Sequence, residues 1–185
     1  MQASLAAVRV TVFCGSAFGS DPDFRTAAAD LGRILGEAGI GLVYGGGHVG
    51  LMGVVADAAL EAGGEVIGVI PRRLADREVA HTRLTDLRVV DTMHERKAQM
   101  NDLADAFVVL PGGLGTLEEI FEILTWEVLG YHTKPSVFVD VNGFWSGLFA
   151  TLDEMAASGF IAAEIVREIR RVSTPTEALA VLQAG

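Results

Sequence analysis

The amino-acid sequence predicts an α/β fold in which a mostly parallel, doubly wound sheet carries helices on both faces. Short apolar runs alternate with stretches of helical periodicity along the chain, as in a strand–helix repeat. The runs are apolar throughout rather than at every second position, which is typical of strands buried on both faces of a parallel sheet. Three of these runs end in glycine or proline. In such Rossmann-like folds, ligands bind beyond the carboxyl ends of the strands.

Six strands and six helices are predicted in alternation, because each β-rich run is followed by apolar residues at helical spacing. The predicted strands are Val8–Cys14, Gly41–Gly47, Glu65–Pro71, Leu87–Asp91, Ala106–Pro111 and Pro135–Val141. The predicted helices are Asp23–Ala38, Leu51–Ala62, Met93–Ala104, one after Gly115 that continues through Trp126, Trp145–Ser158 and Thr176–Gln183. No linker or long repeat divides the chain, so we expect residues 1–185 to form one domain.

The composition excludes several classes of protein. The net charge of −10 argues against general nucleic-acid binding, which needs a clustered excess of Lys and Arg. The single cysteine, Cys14, cannot form an internal disulfide. No apolar run approaches the roughly 20 residues of a membrane span, and the first residues lack the pattern of a signal peptide. We therefore expect a cytoplasmic protein with no nucleic-acid or membrane partner.

The glycine-rich loop after the fifth strand, in the run PGGLGTLEE, has two interpretations. Thr116 and Glu119 have the spacing of a capping box, which would make the glutamate structural. A capping box does not explain Gly112, Gly113 and Gly115, since glycines cost backbone entropy unless something must approach the chain closely. A helix start offers free N–H groups and partial positive charge. The spacing favours a phosphate-binding loop over a simple turn.

A second glycine loop, in the run YGGGHVG, matches the dinucleotide fingerprint G-x-G-x-x-G through Gly45, Gly47 and Gly50. A nicotinamide cofactor would also need an acidic residue at the end of the next strand, where Arg72 and a second arginine follow the proline instead. The sequence therefore argues against an oxidoreductase, and we interpret Gly45, Gly46 and Gly47 as a further wall of the same pocket. A tight strand-to-helix turn explains this loop equally well.

The run MHERKAQM places two cations on a helix. Met93, Arg96, Lys97 and Met100 share one broad face, where simple burial of two charges would be costly. A solvated charge cluster with Glu95 is the commoner outcome for such runs. The alternative is an anion-binding face, since Arg can bind phosphate or carboxylate in a bidentate fork.

The sequence shows no sign of a metal site. Its four histidines lie far apart in the chain, and none forms an H-E-x-x-H pair: His48, His81, His94 and His132. There is no G-x-S-x-G nucleophile motif, and Cys14 has no evident base partner. We expect neither a metal nor a cofactor.

Together these motifs resemble the LONELY GUY (LOG) family. The run PGGLGTLEE matches the family signature P-G-G-x-G-T-x-x-E, and MHERKAQM supplies its Arg-Lys motif. The similarity extends to CGS, YGGGHVGLMG, VIGVIP, KPSVFVDVNGFW and SGFI, and so covers nearly the whole chain. The resemblance implies hydrolysis of the N-glycosidic bond of N6-substituted adenosine 5′-monophosphates, which releases free base and ribose 5-phosphate. It also implies a homodimer with the active site near the subunit interface.

The resemblance places the catalytic pair on Arg96 and Glu119. It places the substrate-binding residues on Glu78, Arg96, Lys97, Gly113, Leu114, Gly115, Thr116, Leu117, Glu118, Glu119 and Thr125. The glycine N–H groups suit the phosphate, while a carboxylate suits the positive charge that builds on the ribose as its glycosidic bond breaks. Two other functions remain open: hydrolysis of AMP or another nucleotide, and a non-catalytic nucleotide carrier or sensor on the same fold.

Overall fold

The computed structural model describes residues 8–78 and 80–184, and for residues 76–78 the backbone alone. Within these residues the strands are β1 Arg9–Phe13, β2 Gly41–Tyr44, β3 Val66–Pro71, β4 Asp86–Val90, β5 Ala106–Val109, β6 Ser136–Val139 and β7 Arg170–Val172. The helices are α1 Pro22–Glu37, α2 Gly50–Glu61, α3 Arg72–Glu78, α4 Met93–Leu103, α5 Leu114–Val128, α6 Ser146–Ala157, α7 Ala163–Glu168 and α8 Pro175–Ala184, with a 3-10 turn at Val141–Gly143. No helix among them is both long and apolar enough to cross a bilayer.

All seven described strands pair in parallel in one sheet, in the order β4-β3-β2-β1-β5-β6-β7. The chain builds outward from β1 to β4, then crosses back and adds β5 on the other side of β1. Val10 accordingly has Leu42 of β2 as one neighbour and Ala106 of β5 as the other. The strand order thus reverses between β1 and β5, and such a switch point opens a crevice at the carboxyl ends of the two strands.

Each face of the sheet is covered by its own apolar layer. On one face Val10 and Val12 pack with residues of α1, α2 and α8. On the other face Phe13 packs with residues of α4, α5 and α6, among them Met100 and Ile120. The central strands are therefore buried on both sides, which confirms the predicted doubly wound α/β fold and the reason given for it.

Three elements were not predicted. β7 is a short edge strand that carries the exposed Arg170 and Arg171, so its sequence lacks an apolar run. α3 follows β3 without a break, and α7 at Ala163–Glu168 lies in a stretch for which no helix was predicted. Both are short helices with many charged residues, which the sequence presents as loop.

Candidate active site

A cavity of about 180 Å³ opens at the switch point of the sheet. It lies where β1 and β5 end, and α2, α4 and α5 complete its walls. Its lining consists of Cys14, Gly15, Ser16, Met52, Arg96, Gly113, Leu114, Gly115, Thr116 and Glu119. Three predicted features, the glycine loop, the arginine of α4 and the glutamate of α5, therefore meet in one place. The lining residues from β1 and α2 had no specific sequence signal beyond the strand that ends in glycine and serine.

The loop after β5 combines one tightly packed glycine with two open ones. A Cβ atom on Gly112 would lie 2.1 Å from Oγ1 of Thr116, so no side chain fits there. Gly15 N donates to the carbonyl oxygen of Pro111 at 3.1 Å, which ties the end of β1 to the end of β5. At Gly113 and Gly115 a Cβ would meet nothing within 4 Å. These two positions therefore face open space where a ligand can approach the backbone.

The start of α5 leaves its first N–H groups available. The helix begins at Leu114, and its N-cap residue Gly113 provides no side-chain cap. The first hydrogen bond of the helix runs from Leu117 N to Gly113 O at 3.0 Å. The N–H groups of residues 114–116 therefore have no acceptor within the helix and point out of its N-terminal end. Thr116 lies inside the first turn, so the alternative interpretation of Thr116 and Glu119 as a capping box is excluded. Unpaired N–H groups and the positive end of the helix dipole make an anion site.

Arg96 is held rigidly from the side opposite the cavity. Its side chain is nearly buried, at 5% exposure. Nε donates to the carbonyl oxygen of Val69 at 3.1 Å, and Nη2 donates to that of Gly45 at 3.0 Å. The third nitrogen, Nη1, lies 3.5 Å from Oε1 of Glu119. The solvated-cluster alternative is excluded for this residue, since two backbone carbonyls of the sheet edge orient its guanidinium.

Glu119 is a buried carboxylate one turn into α5. It is 9% exposed and forms an ion pair with Arg96 across the cavity. Burial, and secondly the charge of Glu119, raises the pKa of the neighbouring Cys14 thiol well above its ordinary value. Cys14 is therefore a neutral apolar wall and not a nucleophile. A buried carboxylate whose charge is balanced by one fixed guanidinium can face a developing cation in the cavity.

The remaining charged residues of the helix motif, Glu95 and Lys97, have partners outside the cavity. Thr92 caps α4, because its Oγ1 accepts from the backbone N–H of Glu95 at 3.1 Å, and the Glu95 carboxylate accepts from Asp91 N at 2.9 Å. Lys97 is buried and pairs with Glu118 and Glu122 of α5. None of these residues lines the cavity.

The remaining predicted site residues lie at varying distances from the cavity. Gly45, Gly46 and Gly47 do not line it; Gly45 contacts Arg96 instead. Leu117 packs against the apolar layer of α4, α5 and α6. Thr125 lies further along α5, where its hydroxyl donates to the carbonyl oxygen of Phe121 at 2.6 Å. Glu78 ends α3, and its side chain is outside the described part of the chain.

Two of the histidines prove to be neighbours, which corrects the expectation that all four lie far apart. The rings of His48 and His81 are 5.1 Å apart, and with Asp57 they bring possible ligand atoms within 4.8 Å of one another. The backbone N–H of Arg83 donates to Nδ1 of His81, so the ring proton lies on Nε2 and points to Asp57 at 3.1 Å. A histidine that binds a metal through one ring nitrogen donates a hydrogen bond from the other, whereas Nδ1 of His81 accepts one and Nε2 carries the proton. Arg83 also pairs with Asp57. The group is therefore a hydrogen-bond network that links α2 to the segment after α3.

A parallel sheet with an open helix start and a buried Arg–Glu pair at its switch point defines a Rossmann-like protein whose cavity is chemically suited to an anionic ligand. Residues 52–182 match the family model described as "Possible lysine decarboxylase". Over 168 residues the chain is 48% identical to the cytokinin riboside 5′-monophosphate phosphoribohydrolase LOG of Oryza sativa subsp. japonica. The matched region covers 91% of this chain and 69% of that protein. It is 45% identical over 167 residues to the phosphoribohydrolase LOG2 of Arabidopsis thaliana, with 90% and 78% covered. The chain belongs to the LOG family.

Solved structures with lower identity support the same fold. A molybdenum cofactor binding protein from Rippkaea orientalis superimposes with a TM-score of 0.74 at 21% identity, over 98% of both chains. The Moco carrier protein of Chlamydomonas reinhardtii also reaches 0.74, at 19% identity over 96% of both chains. At such identities the likeness concerns architecture alone.

Proposed function

We propose that this protein hydrolyses the N-glycosidic bond of N6-substituted adenosine 5′-monophosphates and releases free cytokinin base and ribose 5-phosphate. The observation that carries the proposal is the buried Arg96–Glu119 pair, 3.5 Å apart, beside the open start of α5. A protein that only stored a nucleotide would have little use for a buried carboxylate next to a phosphate site. Relatives that are named for this reaction are 45–48% identical over about 90% of the chain.

The two parts of the cavity suit the two charges of the reaction. The N–H groups at the start of α5, between Gly113 and Thr116, bind the phosphate. The ribose then lies toward Glu119, whose carboxylate stabilises the positive charge that develops at the anomeric carbon as the base leaves. The same carboxylate orients or deprotonates the attacking water. Arg96 pairs with the carboxylate and holds it in place, and it offers Nη1 to the substrate.

Thr125 has a place in this proposal only if two copies of the chain associate. It lies two and a half helical turns beyond Thr116, roughly 13 Å along α5, which is too far to share one phosphate site. It borders an apolar groove of about 270 Å³ in which Leu129 is 63% and Phe160 is 85% exposed. An exposed apolar surface of this kind suits a protein partner. We infer a homodimer through this face of α5, which sedimentation of the purified protein tests.

We also infer a single-domain, cytoplasmic protein with no nucleic-acid partner. All described strands join one sheet, which supports one domain. Cys14 is a buried free thiol, as is usual in reducing compartments. The net charge of −10 opposes contact with phosphate backbones.

The function is tested by incubating the purified protein with isopentenyl-AMP, AMP and isopentenyladenosine, each with and without a chelator, and separating the released bases. We expect base from isopentenyl-AMP, with or without chelator. Charge-assisted hydrogen bonds contribute about 1.5–3 kcal/mol each, so the monophosphate should exceed the riboside by orders of magnitude in kcat/KM. Equal rates on both would remove the phosphate assignment. Equal rates on AMP would indicate a general nucleotide nucleosidase, and binding without release of base would indicate a carrier.

A further inference from the structure

A second ion-pair cluster lies directly beside the Arg96–Glu119 pair. The side chain of Lys97 is nearly buried, at 6% exposure. Its Nζ lies 2.9 Å from Oε2 of Glu122 and also pairs with Glu118, one turn earlier on the same helix. Arg96 and Lys97, which are consecutive in α4, therefore both pair with carboxylates of α5. The Arg96–Glu119 pair lines the cavity, whereas Lys97 and its partners do not.

The ammonium group of Lys97 forms its ion pairs with two carboxylates of α5. Desolvation is the largest single influence on its pKa and lowers it, but the bonds to Glu118 and Glu122 outweigh that influence and raise the pKa above its ordinary value. The ammonium group therefore stays protonated. Removing a charge from water is costly unless its partners are well placed, and here two carboxylates compensate one ammonium. Little of its charge is left to attract a phosphate.

The position of this cluster determines what it can do. α4 packs chiefly on the strands, and Arg96 is bonded to carbonyls of the β2 and β3 ends. Glu119 belongs to α5, which packs on β1 on the same face of the sheet as α4. The distance between the two groups is therefore set across the junction of α4 and α5. Lys97 spans that junction one residue away from Arg96.

We propose that Lys97 and Glu122 are positioning residues, which fix α4 against α5 and so hold Arg96 at its working distance from Glu119. On this proposal Lys97 does not bind the substrate, although the family resemblance assigns it that role. The inference rests on the proposed function. Misplacing a catalytic group by 1 Å can cost on the order of 10²-fold in rate, so a junction residue outside the cavity can control kcat.

The test compares four single variants in steady-state kinetics with isopentenyl-AMP. Because the arrangement of the pair is lost, Lys97→Met should lower kcat by about 10–100-fold and change KM by less than about 3-fold. Lys97→Arg should recover part of the loss, and Glu122→Gln should lower kcat by roughly 3–10-fold. The matched control is Glu127→Gln, the same change five residues further along α5 and away from Lys97, which should leave both constants unchanged.

Two results would overturn the proposal. A higher KM for Lys97→Met at unchanged kcat, with no effect of Glu122→Gln, would make Lys97 a substrate ligand. A lower Tm with unchanged kcat in both variants would leave the cluster a stabilising contact only. Binding of ribose 5-phosphate by calorimetry separates this inference from the proposed function, because it needs no turnover. Positioning predicts nearly equal Kd values for the wild type and Lys97→Met, whereas a ligand role predicts roughly tenfold weaker binding.

Discussion

The two glycine loops at the carboxyl edge of the sheet look alike in sequence but differ in what surrounds them. In the loop after β2, a Cβ on Gly45 would lie 2.0 Å from Nη2 of Arg96. Gly50, which starts α2, has a φ of +65°, and its Cβ would lie 2.2 Å from the carbonyl carbon of Ser16. In the loop after β5, a Cβ on Gly113 or Gly115 would meet nothing within 4 Å.

The difference shows that glycines at a strand end serve two separate purposes. After β2 they allow the protein to approach itself, so that Arg96 and the loop after β1 can pack against the backbone. After β5, Gly113 and Gly115 leave open space beside the N–H groups of α5, which suits the approach of a ligand. Substitutions on the first side should therefore damage the arrangement of the catalytic groups, and those on the second side should damage substrate binding alone.

The largest effect is expected at Glu119, the carboxylate of α5 that lies one turn beyond the open loop. Glu119→Gln should lower kcat by on the order of 10²–10⁴, because an amide can neither stabilise a cation nor accept a proton. The Tm should change by only a few degrees, since glutamine keeps the shape of the side chain and Arg96 keeps its bonds to the carbonyl oxygens of Val69 and Gly45. Glu118→Gln, on the exposed side of the same helix, is the control and should matter far less. A Glu119→Gln enzyme with normal turnover at saturating substrate would contradict the proposed chemistry.

The packed loop should fail in a different way. Gly45→Ala forces a methyl group into the space of the Arg96 guanidinium, so that the two hydrogen bonds that orient it cannot both persist. We expect destabilisation by about 1–3 kcal/mol, as in other overpacked interiors, together with a clear loss of kcat. Thermal unfolding and kinetics measure the two effects. A normal Tm and a normal kcat for Gly45→Ala would mean that Arg96 is free to move.

The open loop should give the reverse combination. Gly115→Ala meets no neighbour and lies within the first turn of α5, where alanine is more favourable than glycine by up to about 1 kcal/mol. The Tm should therefore rise slightly, while the KM for the monophosphate increases because the methyl group occupies the ligand's approach. The riboside serves as the control substrate, since its KM should respond less. An unchanged KM for the monophosphate would place the phosphate elsewhere.

The smallest effect is expected far from both loops. His132 is partly buried; this burial, and secondarily the nearby Lys134, lowers the pKa of its imidazole despite the bond to the carbonyl oxygen of Ile123. The unfolded chain therefore binds the proton more readily, so stability should fall as the pH decreases below about 6.5 and level off below the folded pKa. His132→Gln should flatten this part of the curve of Tm against pH. A flat curve for the wild type would contradict the shift.

The fold was largely predictable because its signal is local. Apolar runs such as those of β1 and β5 mark buried parallel strands, whereas β7 was missed because its arginines hide an edge strand that has one neighbour only. The Thr-x-x-Glu spacing was misleading at Thr116, since the same spacing occurs inside a helix. It does describe a cap at Thr92, where the helix truly begins.

The site was predictable only in part, because its geometry depends on which helix faces meet. The sequence indicated Arg96 and Glu119 through their motifs. It could not show that Lys97 faces away from the cavity or that Glu122 is its partner, because that pairing is set by the packing of α4 beside α5. It also gave no sign that Gly45 supports Arg96, since the two are 51 residues apart.

The central position of β1 has a consequence for folding during synthesis. β1 can pair with β2 soon after both leave the ribosome, but its other edge waits for β5, whose Ala106 is the neighbour of Val10. Until then a strand that carries Val10, Val12 and Phe13 keeps one row of backbone hydrogen-bonding groups exposed, and such an unpaired edge is prone to aggregation. The strand that completes the catalytic crevice is thus also the one that closes this edge. Fragments that stop before β5 should lose activity and solubility together.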